Sequence, residues 1–209
     1  MTRDEFFTKF TSPLPKAVLK KYPNGNIMQY WAESPSLYAG VFGRTDDYGR
    51  FLCGHSGIDV TTLEGDEVVA AHDGTVHKVI ADNLNNLGGN FVQIRSPYYI
   101  SDKGQAQFCI TSYGHLKEVF VKEGQSVFKG EKIGTEGNSG FIISGSTAYW
   151  GNAPAGKGVH LHFGITEFKV ENGNAFYLYP NCLGNSTDPL LYIIYKNPDY
   201  SGILILLAN

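Results

Sequence analysis

Charge is scarce in this chain of 209 residues. Lys, Arg, Asp and Glu make up 18% of it, and the formal net charge is −3. A protein that holds nucleic acid carries a basic patch or stripe. Here the basic residues are scattered, with Lys20-Lys21 the densest pair, which excludes nucleic acid as an expected partner. Cysteine is scarcer still. Cys53, Cys109 and Cys182 form an odd set with no C-x-x-C spacing, which argues against a cysteine zinc site or a disulfide framework. Small buried residues are the expectation for all three, with Cys53 of interest because it lies two residues before His55. Long apolar runs are missing. The stretch Ile203 to Leu207 is far too short to span a bilayer, so a terminal strand or a docked tail is expected there. No apolar segment follows the mixed charges of Met1-Thr2-Arg3-Asp4-Glu5, as a secretory signal would require.

What is plentiful is glycine and aromatic residues: Gly 25, Tyr 13 and Phe 13. Aromatics favour pleated, half-buried surfaces and glycine serves tight turns, so the composition points to an all-β fold. Residues 1–34 read differently. Thr2 and Glu5 have the spacing of a capping box; Phe6, Phe7 and Phe10 follow at helical spacing. Ser12-Pro13 is expected to open a second short helix through Ala17 to Leu19. This segment is read as a partly helical extension, and residues 35–209 as the main domain.

From Pro35 onward, short apolar runs alternate with glycine turns, as in an antiparallel sheet or sandwich. Strands are expected at Val68 to Ala71, Thr75 to Ile80, Asn90 to Ile94, Phe108 to Tyr113, Ile133-Gly134 and Val159 to Thr166. The run Glu64 to Val76 is echoed by Glu123 to Gly134, each a strand, a glycine turn and a strand. Three stretches read as long loops: Ala81 to Gly89, Ser96 to Gln107 and Phe141 to Lys157. The last carries Tyr149 and Trp150, which either line a substrate groove or pin the loop to the core.

Four of the six histidines fall in three short motifs. In Val159-His160-Leu161-His162-Phe163, side chains two apart on a strand share a face. His160 and His162 then project together, and Val159, Leu161 and Phe163 point the other way. In His55-Ser56-Gly57-Ile58-Asp59, a histidine and an aspartate four apart share a face in either a helix or a strand. In Tyr113-Gly114-His115-Leu116, Tyr113 and His115 are expected on one face. His72 and His77 flank a turn and are expected to be solvated. Two histidines and a carboxylate on a metal with one position open is the pattern of hydrolytic zinc sites, and such sites also need a base or oxyanion donor that is not a ligand.

In order, these motifs resemble the lysostaphin-type peptidoglycan endopeptidases, which include the LytM proteins. The resemblance begins at Phe42-Gly43-Arg44 and takes in His55 to Asp59, Ala71-His72-Asp73-Gly74-Thr75-Val76 and Tyr113 to Leu116. It continues through the glycine-paced run Val121 to Gly134, then Gly137-Asn138-Ser139-Gly140 and His160 to Phe163. It implies a small antiparallel β-domain with a groove over one Zn²⁺ per chain. His55, Asp59 and His162 would be the ligands, and His115 and His160 the catalytic histidines beside the metal. The implied substrate is a peptide amide of bacterial peptidoglycan, in a stem or a cross-bridge. Tyr113 is expected at the groove as a donor to the reacting group, or else in the core or rim; Arg44 is expected to brace a loop.

Departures from the family pattern lie in the inserted stretch Phe141 to Lys157, in a longer approach to Tyr113, and in Gly164, where glutamate is common. The N-terminal extension would cover the groove, pack behind the sheet or attach the enzyme to a larger particle such as a virion. Delivery outward is expected, to the cell wall or extracellular space, either as a phage lysin or tail-associated enzyme or as a secreted enzyme supplied without its signal. Two other readings stand beside the enzyme. A non-catalytic wall-binding or virion structural module would retain the domain but is expected to lose members of the five-residue set, and all five are present. A biotinyl or lipoyl carrier would place a lysine at a hairpin tip, commonly between methionines, and Met1 and Met28 lie nowhere near one.

Overall fold

The structure is a computed structural model and describes residues 1–33, 54–81, 87–181 and 183–193. Phe42 to Arg44, Cys53, Cys182 and the apolar stretch near the C-terminus lie outside the described residues. Helix α1 spans Arg3–Phe7. The strands follow as β1 Ile27–Gln29, β2 Ile58–Val60, β3 Glu67–Val69, β4 Gly74–Ile80, β5 Asn90–Arg95, β6 Tyr99–Ile100, β7 Ala106–Leu116 and β8 Glu118–Val119. Then come β9 Ser126–Val127, β10 Lys132–Thr135, β11 Phe141–Ser144, β12 Thr147–Trp150, β13 Leu161–Glu171, β14 Asn174–Tyr177 and β15 Ser186–Thr187. A short helix, α2, covers Leu190–Ile193. The fold is all-β and antiparallel among the described residues.

The main sheet runs β1-β2-β13-β7-β5-β4-β9. Its two longest strands, β7 and β13, pair from His162 opposite Gly114 to Lys169 opposite Gln107 without a break in register. Short strands β2, β15 and β14 line the other side of β13 in turn. The β13–β14 hairpin closes through Asn172 and Gly173, both at positive φ (50° and 79°). An Asn-Gly pair suits a two-residue turn of this kind because both residues tolerate the left-handed region. The two echoed stretches pair with each other: β3 with β10, and β4 with β9.

Alternation along β13 divides the sheet into two faces. Leu161, Phe163 and Ile165 are fully buried, in one cluster with Val92, Ile94 and Tyr113. The N-terminal segment packs on this buried face, behind the sheet. Thr2 caps α1 as expected: its Oγ1 accepts from Glu5 N–H, and the Glu5 carboxylate accepts from Thr2 N–H at 2.8 Å. Phe6, Phe7, Phe10 and Leu14 enter the shared core. The anchor is Glu167, fully buried on β13. Arg3 donates to both its oxygens at 2.8 and 3.0 Å, Tyr99 donates at 2.9 Å, and Tyr192 donates from α2. A buried carboxylate persists only when its acceptor sites are filled in this way. Residues 12–19 form turns rather than the expected second helix; Pro13 and Pro15 remove two donors there, and Ser12 bonds locally to Leu14 C=O.

The stretches expected as long loops hold more structure than expected. Ser96 to Gln107 contains β6, and Phe141 to Lys157 opens with the β11–β12 hairpin.

Candidate metal centre

Adjacent strands bring the central residues together. On β2 and β13, Asp59 and His162 are direct cross-strand partners, and Gly114 of β7 faces His162 from the other side. His55 enters from the segment before β2. Its Nε2 lies 3.1 Å from Asp59 Oδ1 and 2.9 Å from His162 Nδ1, and the third side, His162 Nδ1 to Asp59 Oδ1, is 3.0 Å. Gly57 makes this approach feasible. A Cβ there would stand 2.4 Å from Phe163 O and 2.9 Å from His162 Nε2.

Two imidazole nitrogens and a carboxylate oxygen form a zinc donor set. Zinc bound tetrahedrally at about 2.0–2.1 Å spaces its ligand atoms about 3.3 Å apart. The observed triangle is close to that spacing, so the residues fit the metal. The three atoms cover one face of a tetrahedron and leave the fourth position for a substrate or water.

His115 and His160 flank the triangle. Their rings lie 4.4 Å apart, His115 is 6.3 Å from the His162 ring, and His160 Nε2 is 3.8 Å from Asp59 Oδ2. Backbone carbonyls orient three of the four rings. Nδ1 of His55 meets Tyr30 O at 3.2 Å, that of His115 meets Ser139 O at 2.8 Å, and that of His160 meets Gly158 O at 2.7 Å. A carbonyl only accepts, so each Nδ1 carries a proton and Nε2 is the nitrogen each ring turns toward the site.

Electrostatics follow from burial and the single carboxylate. Burial disfavours charge on Asp59, but His55 and His160 outweigh it and hold its carboxyl well below the usual range. Burial opposes a charged His55, and Asp59 overcomes that and raises it. Burial lowers His162. Burial, with His160 and His162 alongside, pushes His115 down to about 3, so its imidazole is neutral at neutral pH.

The sequence profile of peptidase family M23 matches residues 53–176. The chain belongs to that family. Among similar proteins, an uncharacterized metalloprotease of Haemophilus influenzae is 33% identical over 121 residues, covering 58% of this chain and 19% of that protein. Peptidoglycan DD-endopeptidase ShyC of Vibrio cholerae is 32% identical over 109 residues, 52% of this chain and 19% of its own. This M23 chain therefore spans about a fifth of the length of the curated relatives it matches. The catalytic domain of lysostaphin from Staphylococcus simulans superposes with a TM-score of 0.48 at 20% identity, over 81% of this chain and 92% of that one.

Within this M23 domain, the structure gathers His55, Asp59, His162, His115 and His160 at one point. Tyr113, expected either at the groove or in the core or rim, lies in the core and not at the groove. It is fully buried, its hydroxyl accepts from Ala71 N–H at 2.9 Å, and it shares a 3.1 Å hydrogen bond with Thr111. It does not share a face with His115 because the strand bulges between them. The β5–β7 register slips by one residue between Tyr113 and Leu116, and His115 takes φ 60°. That left-handed residue turns the imidazole out of the core face and into the site. His72, expected in solvent, is 1% exposed and bonds Thr111 Oγ1 at 3.0 Å through Nε2; burial pushes it down to about 4. His77 is exposed as expected, and Cys109 is buried and free. Tyr149 and Trp150 are half-buried on β12, with Trp150 packed on Phe141 of its own hairpin at 4.5 Å.

Composition and spacing gave no notice of the supports. Ser139 holds His115 through its carbonyl, while its Oγ donates to Leu116 O at 2.7 Å and accepts from Asn90 N–H at 2.9 Å. The carbonyls of Tyr30 and Gly158 do the same for two other rings, and backbone groups leave no residue-type signature.

Proposed function

We propose that this chain is a zinc-dependent endopeptidase that hydrolyses an amide bond in the stem peptides or cross-bridges of peptidoglycan. The observation that carries the proposal is a donor triangle of His55, Asp59 and His162 with two further imidazoles, His115 and His160, beside it, each held through its Nδ1 by a backbone carbonyl. Family membership and a relative named as a peptidoglycan DD-endopeptidase support the substrate class.

His55 Nε2, Asp59 Oδ1 and His162 Nδ1 would hold one zinc. When bound, the ion supplies Lewis-acid chemistry, acidifying water and polarising a carbonyl. The protein supplies the proton handling. Nε2 of one flanking histidine takes a proton from the attacking water and returns it to the leaving amine nitrogen as the C–N bond breaks; the other, entering the step protonated from solvent, donates a hydrogen bond to the developing oxyanion. The carbonyls at Ser139 and Gly158 fix both tautomers, so neither ring must reorient during turnover. The substrate lies outside the cytoplasmic membrane, and the enzyme acts there.

Purified protein is expected to bind about one zinc per chain and to release peptide fragments from bacterial walls. His162→Ala should remove metal and activity together, and His115→Ala activity alone. Absence of bound divalent metal in the wild type under non-chelating conditions would sink the reading.

A further inference from the structure

The β13 face that carries His162 also carries Gly164, Thr166 and Phe168, because the register there has no bulge. Ser112, Ile110 and Phe108 of β7 lie opposite these three. Farther across, Gln93 and Arg95 of β5 pair with Ser112 and Ile110. While the reverse face is buried, this one is half-exposed from Gln93 and Ser112 to Arg95 and Phe168. Partly exposed residues run from the ligand triangle past the buried Gly164 to an aromatic cluster in which Phe108 is buried. There Phe108 and Phe168 stack at 4.9 Å, and Tyr98 meets Phe108 edge-on at 5.8 Å.

Over this cluster lies the Arg95 guanidinium, 4.3 Å from the Phe108 ring centre and 4.8 Å from that of Tyr98. Its neighbours on the face, Gln93, Ile110 and Thr166, carry no charge, and among the described residues it makes no ion pair. Cross-strand aromatic pairs stabilise sheets wherever they occur, which accounts for Phe108 and Phe168. It does not account for an unmatched guanidinium on the same face as the ligand triangle. Stacking restrains a planar fork of donors that suits a carboxylate.

We propose that Arg95 forms a carboxylate-binding subsite for a substrate peptide lying along this face, with its scissile bond at the His55–Asp59–His162 triangle. The proposal rests on the peptidase reading above. Arg95 is level with Thr166, four residues along β13 from His162 and two strands across. That is about 13 Å by about 10 Å, or about 16 Å in all. An extended peptide of about five residues covers that distance. Wall peptides carry free carboxylates, so the substrate class offers the matching charge.

The test compares native bacterial sacculi with sacculi whose carboxylates have been converted to amides by carbodiimide and ammonia. Release of peptide fragments is followed as a function of substrate concentration. Wild type should need about tenfold more of the amidated wall for half-maximal rate, with its maximal rate unchanged, since one charged contact is worth about that factor. Arg95→Gln should show the same tenfold weakening on native wall and no response to amidation. Arg95→Lys, which keeps the charge but loses the fork, should lie between. An Arg95→Gln variant that melts with the wild type and either digests native wall normally or still discriminates against amidated wall overturns the subsite. Failure of the wild type to digest either substrate overturns the peptidase reading instead.

Discussion

Replacing Ser139 with alanine tests whether His115 is held in place by its surroundings or merely resides there. His115 has φ 60°, a backbone state that costs a side-chain-bearing residue about 1–2 kcal/mol. Three contacts hold it. Its N–H donates to Gly88 O at 2.6 Å, its Nδ1–H donates to Ser139 O at 2.8 Å, and Ser139 Oγ ties that loop to Leu116 O and Asn90 N–H. Losing Oγ removes two hydrogen bonds of about 1 kcal/mol each. Their loss shifts the balance between the working and displaced positions of the ring by about 2 kcal/mol, with the strain favouring the displaced one. A loss of about 2 kcal/mol corresponds to a rate about 10- to 30-fold lower. In Ser139→Ala the maximal rate of wall digestion should fall by that factor, with zinc content and half-saturating substrate unchanged. Ser139→Thr keeps the hydroxyl and should restore most of the rate. Unchanged turnover in the alanine variant would refute the reasoning. So would loss of zinc in parallel with activity, because the defect would then lie in the ligand triangle.

Two further predictions concern stability. Arg3→Met strands the buried Glu167 carboxylate with only its tyrosine partners, and chemical denaturation should show a loss of about 3–5 kcal/mol. Glu136 is fully buried, and burial raises it from 4.5 to about 7, with Asp66 adding to the effect against hydrogen bonds from Thr62. Because the folded state holds this proton to higher pH than the unfolded chain, its contribution is present below about pH 4.5 and is lost as pH rises to about 7. The change is about 3 kcal/mol at about 1.4 kcal/mol per pH unit. Glu136→Gln should flatten this part of the pH–stability curve and stabilise the protein at neutral pH; an unaltered slope would show that another group sets it.

Much of the architecture could be read from residue order because it depends on local rules. Period-two alternation in Leu161 to Ile165 predicted which side chains would be buried, and the Thr2–Glu5 capping box formed where its spacing put it. Rules of that kind failed where a distant contact outweighed them. Tyr113 and His115 ought to share a face, but the bulge separates them by giving the strand one extra residue. His72 beside a turn ought to be solvated, but Thr111 two strands away supplies the partner that lets it be buried. The proline-opened segment before Leu19 held the spacing of a helix but met the core as turns. Glu167 looked like any strand glutamate until Arg3, Tyr99 and Tyr192 were found to converge on it.

Sequence alone determined the chemical types available: four histidines and an aspartate in short apolar settings, an all-β chain, and motifs sufficient to name a family. It also put His160 and His162 close together, although β13 begins at Leu161 and the His160 ring is set by the Gly158 carbonyl rather than by strand alternation. Tertiary structure decided which atoms meet. Pairing of β2 with β13 puts Asp59 opposite His162, although they lie 103 residues apart in sequence. The β7 bulge sends His115 to the site, and carbonyls from three separate loops assign the tautomers. These outcomes depend on register and on backbone groups, and every residue carries the same backbone groups, so nothing in the order of side chains announces them.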